Sequence, residues 1–213
     1  GVILMLKAVG VKTVVASDFS ESRRKLAQAC GADVIIDPKQ GSPFDDWKAM
    51  GLLGNAADAL NFGMSLFDKI QALRLPWWHA WRVADKLGAM PKRPVIFECV
   101  GVPGILQQII DGAPLFSKIV VVGVCMQSDQ IEPALAINKE IEMQFVLGYT
   151  PLEFRDALLM IAEGKIDCTP LITGVVGLDG VENAFSALSD PELHAKILVD
   201  PKQIGTEIIK VTF

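Results

Sequence analysis

Short apolar runs rich in β-branched residues alternate with helical stretches along most of this chain. Runs at residues 12–17, 33–36, 95–99 and 118–124 are separated by stretches with helical apolar spacing. The last run is almost wholly apolar, which is typical of a parallel strand covered on both faces. Strands that alternate with helices through short links predict an α/β fold, a Rossmann-like doubly wound parallel sheet.

The remaining elements follow the same pattern. Gly10 and Gly31 are predicted to end the first two helices, and Ser20 is a predicted N-cap of the second. These two helices are predicted at residues 2–9, which are expected to be buried, and 21–30. Further helices are predicted at residues 103–111, 151–163 and 180–188. Further strands are predicted at residues 138–147, 196–199 and 207–212.

Asp18 is the residue that is most informative about function. It directly follows the β-branched run and precedes the helix that begins near Glu21. In a strand–helix–strand unit that binds a dinucleotide, an acid at the tip of the second strand accepts hydrogen bonds from the adenosine ribose hydroxyls. Because a carboxylate there would repel the extra phosphate of NADP, the position favours NAD. The alternative is an ordinary turn acid or helix N-cap.

Composition is typical of a globular α/β protein. Of the 213 residues, 51% are hydrophobic and 21% charged, and the net charge of −5 is without a basic block. We therefore expect neither nucleic acid nor a membrane as a partner. The cysteines lie far apart and lack metal-ligand spacing, which predicts buried, reduced thiols in a cytoplasmic protein; they are Cys30, Cys99, Cys125 and Cys168.

An unusually long stretch, residues 41–94, separates two of the predicted strands. All four tryptophans fall in or beside it, and apolar residues recur at helical spacing from Leu60 to Leu73. Pro76 interrupts this spacing, and a second helix is predicted at residues 77–87. Such a long connection is usually a functional or interface element. Three interpretations stay open: a helical hairpin packed on its own domain, a subunit interface, and a cap over an apolar substrate or the adenine of the coenzyme.

The chain begins inside the first helix of this pattern. In the strand order 3-2-1-4-5-6 the first strand is central, and a glycine-rich turn after it cradles the coenzyme pyrophosphate. The sequence contains no GxGxxG motif. Backbone groups beside an absent central strand would be unpaired, at about 1–3 kcal/mol each. We therefore expect a sheet that lacks its first strand, in a piece of a longer protein or beside another polypeptide that fills the gap.

Eight short segments form an ordered series along the chain. They are VILMLKAVG at residues 2–10, SD at 17–18, AQACGADVIID at 27–37, FECVG at 97–101, VVVGV at 120–124, GYT at 148–150, AEGKI at 162–166 and AKILVD at 195–200. In this order and spacing they resemble the coenzyme-binding half and C-terminal tail of the medium-chain, zinc-type alcohol and polyol dehydrogenases. The resemblance covers most of the chain outside the long middle stretch.

The resemblance implies a coenzyme-binding role for nine residues. Asp18 would bind the adenosine ribose diol with Arg23 beside it, and Lys196 would lie near the coenzyme phosphates. Two strand ends would line the cleft and contact the nicotinamide, at Cys99, Val100, Gly101, Val122, Gly123 and Val124. The alternatives are core positions for Val122 and Val124 and a turn position for Gly123. For Arg23 and Lys196 the alternative is a solvated surface position.

The resemblance also implies two domains with different roles. Residues 1–165 would form the NAD-binding domain, with the helical insert at about residues 45–93, and residues 166–213 would belong to the catalytic domain. In this family a zinc ion polarises the alcohol oxygen during hydride transfer to the nicotinamide. Its ligands would precede Gly1, so we expect no catalytic residue, no metal ligand and no activity in this fragment alone. His79 is expected at an interface or surface, and His194 is expected to be exposed.

Four functional hypotheses follow. The first is an NAD-dependent alcohol or polyol dehydrogenase, cytoplasmic and homo-oligomeric, with zinc only in the full-length protein. The second is a zinc-free quinone or enoyl-type reductase of the same superfamily, which generally prefers NADP, against the evidence of Asp18. The third is a methyltransferase, in which the same acid would hold the ribose of S-adenosylmethionine. The fourth is a catalytically silent coenzyme-binding or assembly module.

Overall fold

The computed structural model describes residues 1–47, 49–72 and 76–211. The helices within these ranges are α1 (Val2–Ala8), α2 (Glu21–Ala29), α3 (Ala56–Ala72), α4 (Trp77–Lys86), α5 (Ile105–Gly112), α6 (Pro133–Asn138), α7 (Pro151–Ala162) and α8 (Val181–Leu188). The strands are β1 (Val15–Ser17), β2 (Val34–Ile36), β3 (Val95–Glu98), β4 (Lys118–Val121), β5 (Glu142–Phe145), β6 (Ile172–Val176), β7 (Lys196–Val199) and β8 (Ile209–Lys210). None of these helices is long and apolar enough to cross a lipid bilayer.

The chain divides into two structural units. The first joins Gly1–Pro43 to Tyr149–Phe213, and the second is Phe44–Gly148. The first unit holds the parallel pair β1-β2 and a sheet of order β7-β6-β8, in which β6 is parallel to β7 and antiparallel to β8. The second unit holds the parallel sheet β3-β4-β5. The α/β class with parallel strands is therefore confirmed.

Local signals explain where α2 begins and ends. The Ser20 side chain caps its first turn by accepting a hydrogen bond from the backbone N–H of Arg23 at 3.0 Å. Gly31, with a φ of +95°, follows its C-terminus. Just before β2, the Asp33 carboxylate accepts hydrogen bonds from the Val14 N–H and the Lys7 ammonium, which lower its pKa. These contacts fix the strand–helix–strand unit in which Asp18 lies.

The second unit has its core beneath the three-stranded sheet. Ile110 of α5 and Ile119 of β4 are completely buried, and Val121 joins them. The beginning of the long middle stretch is part of this unit's packing, because the Leu115 N–H donates to the Leu53 carbonyl at 2.8 Å. The ends of β3, β4 and β5 are therefore supported by a well-packed core.

The Trp-rich hairpin, α3 with α4, is confirmed as two helices. They pack on each other through Phe67 and Trp77, whose ring centroids are 5.8 Å apart. Its apolar side chains that face solvent include Leu60, Met64, Trp77, Trp78, Val83 and Leu87. The last predicted residue of the first apolar stripe, Leu73, lies outside the described residues. The three interpretations of the hairpin stay predictions.

Several predicted elements differ from the observed ones. The strand predicted at residues 138–147 is wrong in its first part: α6 ends at Asn138, and a turn with a positive φ at Glu140 precedes β5. Strand β6 was not predicted at all. Helix α1 is only half-buried. The predicted domain boundary at residue 165 stays a prediction.

Six of the eight described strands pair with a single neighbour. Among them, β1 pairs only with β2, and β3 pairs only with β4.

Candidate functional site

Asp18 lies half-buried at the end of β1. Its Oδ1 accepts a hydrogen bond from the backbone N–H of Ser20 at 2.8 Å, which turns the chain from the strand into α2. Its other oxygen, Oδ2, has no hydrogen-bond partner among the described residues. One carboxylate oxygen therefore stabilises the turn, and the other can accept a hydrogen bond from a ligand hydroxyl.

The arginine that holds the tip of β1 is Arg24. Its Nη1 donates to the carbonyls of Asp18 at 2.8 Å and Phe19 at 2.9 Å. Its Nη2 lies 3.0 Å from Asp37 Oδ2, and both side chains are only 17% exposed. Because Asp37 follows β2, one guanidinium ties the ends of both strands together. The predicted site residue Arg23 is exposed beside it, with its side chain in solvent.

A segment from far along the chain lies on the first turn of α2. The Ser22 N–H donates to Glu192 Oε2 at 3.1 Å. The Ser20 hydroxyl lies near both this carboxylate and the Pro191 carbonyl, 3.4 Å away. Hydrogen bonds from Ser20 and then from Ser22 lower the pKa of Glu192 to about 2. A cavity of about 80 Å³ beside this contact is lined by both Arg23 and Glu192.

His194 is buried, so the expectation of an exposed histidine is wrong. Only 6% of the residue is exposed. Its Nδ1 lies 3.2 Å from the Thr173 hydroxyl, and its ring packs over Gly174, where a Cβ would lie 3.3 Å from Cε1. The neighbouring strand β6 covers this side chain. Lys196, two residues later, is exposed, and its ammonium has no hydrogen bond among the described residues.

Glu98 organises the strand ends in the second unit. It ends β3 and is 3% exposed. Its carboxylate Oε1 accepts hydrogen bonds from the N–H groups of Val100 at 2.6 Å and Gly101 at 2.8 Å. Its backbone carbonyl accepts from the N–H groups of Val122 at 2.8 Å and Gly123 at 2.9 Å. One residue thus brings together four of the six predicted cleft residues.

The loops after β3 and β4 meet backbone against backbone. A Cβ on Gly123 would lie 2.4 Å from the Gly101 nitrogen and 2.6 Å from Glu98 Oε2. A Cβ on Gly101, whose φ is +71°, would lie 2.7 Å from the Val124 nitrogen. Val100 and Val124 are mostly exposed, at 63% and 65%, while Val122 is 37% exposed. The glycines are required for packing, and the valines face outward from the strand ends.

A cavity of about 540 Å³ opens at these strand ends. Its wall includes Gly101, Gly123, Val124 and the apolar residues Val146 and Leu147 after β5. Its polar lining includes Asp129, whose Oδ1 accepts from the Gly104 and Gln130 N–H groups. The Asp129 Oδ2 atom is buried and has no hydrogen-bond partner among the described residues. The cavity therefore has a largely apolar wall, with Asp129 among its few polar residues.

The cysteines differ from expectation in burial. All four are free, but only Cys30 is buried, and Cys99 is exposed. Desolvation of the sulfur and the Glu98 carboxylate raise the pKa of the Cys99 thiol. Within the described ranges, no three His, Cys, Asp or Glu side chains converge as a metal site would require.

Sequence reasoning missed four polar residues: Arg24, Glu98, Asp129 and Glu192. Glu98 carried a signal, because a charged residue that ends an apolar strand must find partners when buried. The others carried none, since their partners depend on the tertiary fold. The Glu192 contact joins residues that are 170 positions apart.

No protein-family model matches the chain. Several known proteins are nevertheless similar to it in sequence. It is 27% identical over 201 residues to (R,R)-butanediol dehydrogenase of Bacillus subtilis, covering 94% of this chain and 47% of that protein. It is 25% identical over 197 residues to sorbitol dehydrogenase of Ovis aries, covering 92% of this chain and 45% of that protein. The chain thus spans about half the length of the curated relatives it matches.

Solved structures of dehydrogenases are also similar to this chain. The 2R,3R-butanediol dehydrogenase from Bacillus subtilis matches with a TM-score of 0.63 at 26% identity, over 94% of this chain and 47% of that one. A protein described as a short chain alcohol dehydrogenase, from E. coli CFT073 and complexed with NADH, matches with a TM-score of 0.64 at 19% identity, over 93% of this chain and 48% of that one. A zinc-binding dehydrogenase from Sinorhizobium meliloti 1021 bound to NADP matches with a TM-score of 0.61 at 22% identity. This match covers 93% of this chain and 48% of that one. The latter two share the fold with this chain.

The matches to these relatives and solved structures extend along more than nine-tenths of the chain. The homologues and structural neighbours of this chain are therefore medium-chain, zinc-type alcohol and polyol dehydrogenases, and the chain matches about half the length of theirs.

Proposed function

We propose that this chain is the coenzyme-binding part of an NAD-dependent oxidoreductase that transfers hydride between an alcohol or polyol and NAD. The observation that carries this proposal is Asp18, an acid at a strand tip with one carboxylate oxygen still available. The names of the relatives, butanediol and sorbitol dehydrogenase, support an alcohol or polyol as the substrate.

The adenosine end of the coenzyme would be held by the first unit. The unused Oδ2 of Asp18 would accept hydrogen bonds from the ribose hydroxyls. Arg24 holds the tip of β1 in place through the Asp18 carbonyl, so it would act as a positioning residue. Arg23 would lie beside the ribose, and the unpaired ammonium of Lys196 would attract the coenzyme phosphates.

The nicotinamide end would be held by the strand ends of the second unit. Glu98 fixes the loops that carry Val100, Gly101, Val122 and Gly123, so their exposed faces are preorganised. Apolar contacts from these residues would exclude water from the reacting ring. Cys99 and Val124 would complete the same wall.

The catalytic chemistry would reside outside this chain. The nicotinamide supplies the hydride acceptor, and a zinc ion on a further part of the protein would polarise the alcohol oxygen. The residues of this chain would bind and orient the coenzyme, and we expect no turnover from this segment alone.

We also propose a cytoplasmic homo-oligomer. Four unpaired cysteines support a reducing compartment. Aromatic and aliphatic side chains exposed on the α3–α4 hairpin support a contact surface, and they keep the alternative of an assembly module open. Sedimentation of the protein over a range of concentrations tests self-association. A protein that stays monomeric throughout contradicts the homo-oligomer.

Coenzyme binding tests the main proposal. We expect calorimetric titration to show NADH binding that is clearly tighter than NADPH binding, and no binding of S-adenosylmethionine. Tighter NADPH binding would favour the zinc-free reductase, and binding of S-adenosylmethionine alone would favour a methyltransferase. NADH binding without turnover in the natural protein loaded with zinc would favour the silent module.

A further inference from the structure

The N–H groups at the beginning of α2 are already satisfied by acceptors. The Ser20 N–H donates to Asp18, the Ser22 N–H donates to Glu192, and the Arg23 N–H donates to the Ser20 hydroxyl. Two of these three acceptors are carboxylates. The second of them arrives from the other end of the chain and is exposed at the surface.

A free helix N-terminus attracts anions, because its unpaired N–H groups and the helix dipole both favour negative charge. In an NADP-binding protein of this fold, the 2′-phosphate extends from the ribose that the strand-tip residue contacts, and a nearby arginine accommodates it. This chain has a candidate arginine there. Arg23 is exposed in the first turn of α2, and among the described residues its guanidinium has no ion-pair partner.

Glu192 opposes that use of the helix end. Its Oε2 accepts the Ser22 N–H at 3.1 Å, so a phosphate would have to displace it to reach this donor. Glu192 and Arg23 also line the same small cavity, so the carboxylate adds negative charge to the surface on which Arg23 lies.

We propose that Glu192 is a second determinant of coenzyme choice, which excludes the 2′-phosphate of NADP from the N-terminus of α2. This inference rests on the proposed NAD-binding function. It assigns to the C-terminal segment a role in specificity that adds to that of Asp18. The low pKa of Glu192 keeps it charged throughout the physiological range.

The test compares Glu192→Gln with Glu21→Gln in the natural protein. Glutamine keeps an oxygen that can accept the Ser22 N–H and removes only the charge. Glu21 is a matched control, because it lies in the same turn but pairs with Lys25 at 2.6 Å. We expect Glu192→Gln to tighten NADPH binding about tenfold, with NADH binding within about twofold of wild type. Glu21→Gln should leave the ratio of the two affinities within about twofold.

An unchanged affinity ratio in a folded Glu192→Gln protein that still binds NADH overturns the inference and leaves the proposed function standing. An equal shift in Glu21→Gln also overturns it, because the effect would then be a general one of charge. Failure of the wild-type protein to bind either coenzyme contradicts the proposed function and the inference together. Glu192→Ala carries the same expectation if the glutamine variant does not fold.

Discussion

Gly123 and Gly101 touch through their backbones: a side-chain carbon on Gly123 would lie 2.4 Å from the Gly101 nitrogen. This contact joins the loops after β3 and β4, and the Glu98 carbonyl fixes the second of them from below. The two predicted cleft glycines therefore have a structural role whether or not a coenzyme lies against them. Their neighbours Val100 and Val124 are the side chains that project outward.

The close approach predicts the effect of Gly123→Ala. The added methyl group would force the two loops apart, at a cost of about 1–3 kcal/mol in the free energy of unfolding. Gly63→Ala is the control, since a Cβ there meets nothing within 4 Å and the residue lies inside α3. It should raise stability by about 0.5–1 kcal/mol. Chemical denaturation measures both, and a neutral Gly123→Ala would contradict the packing described.

Adjacent arginines should differ sharply in their contribution to stability. Arg24→Ala removes two hydrogen bonds to carbonyls and a partly buried ion pair with Asp37, which should cost about 2–3 kcal/mol. Arg23→Ala removes an exposed side chain and should change the free energy of unfolding by less than about 0.5 kcal/mol. Equal losses in urea denaturation would show that the guanidinium of Arg24 does not hold the strand ends.

Glu192 should make stability depend on pH. Its pKa is lowered from 4.5 to about 2 in the folded protein, so folding favours the ionised form. The stabilisation is complete above the unfolded pKa near 4.5 and is lost as the pH falls towards 2. We therefore expect the difference in unfolding midpoint between wild type and Glu192→Gln to shrink over this range. A difference that stays constant with pH would show that the carboxylate gains nothing from Ser20 and Ser22.

Elements with local signals were predictable from the sequence. Helix α2 has its N-cap at Ser20 and its stop at Gly31. Helix α7 begins at a capping box formed by Thr150 and Glu153, whose pKa is lowered by the hydrogen bonds from Thr150. Such helices are specified within a few residues. The same holds for the hairpin helices, whose apolar spacing is unambiguous.

Features that depend on distant neighbours were not predictable. Strand β6 was not predicted, and its Gly174 has no side chain to mark a buried face, yet this glycine is required because His194 and Ile208 pack directly over it. The burial of His194 follows from this unpredicted strand. Likewise Asp18 was identified from its place after a strand, whereas Glu192 could be recognised only once the fold had brought it to Ser22.

The most direct measurement is the ratio of NADH to NADPH affinity in wild type and in Asp18→Asn. Asparagine can still accept the Ser20 N–H, so the turn into α2 and the thermal unfolding midpoint should be retained. Loss of the charge should weaken NADH binding and reduce the preference for NADH over NADPH about tenfold or more. An unchanged ratio in a folded Asp18→Asn protein would contradict the assignment of Asp18 as the ribose-binding residue.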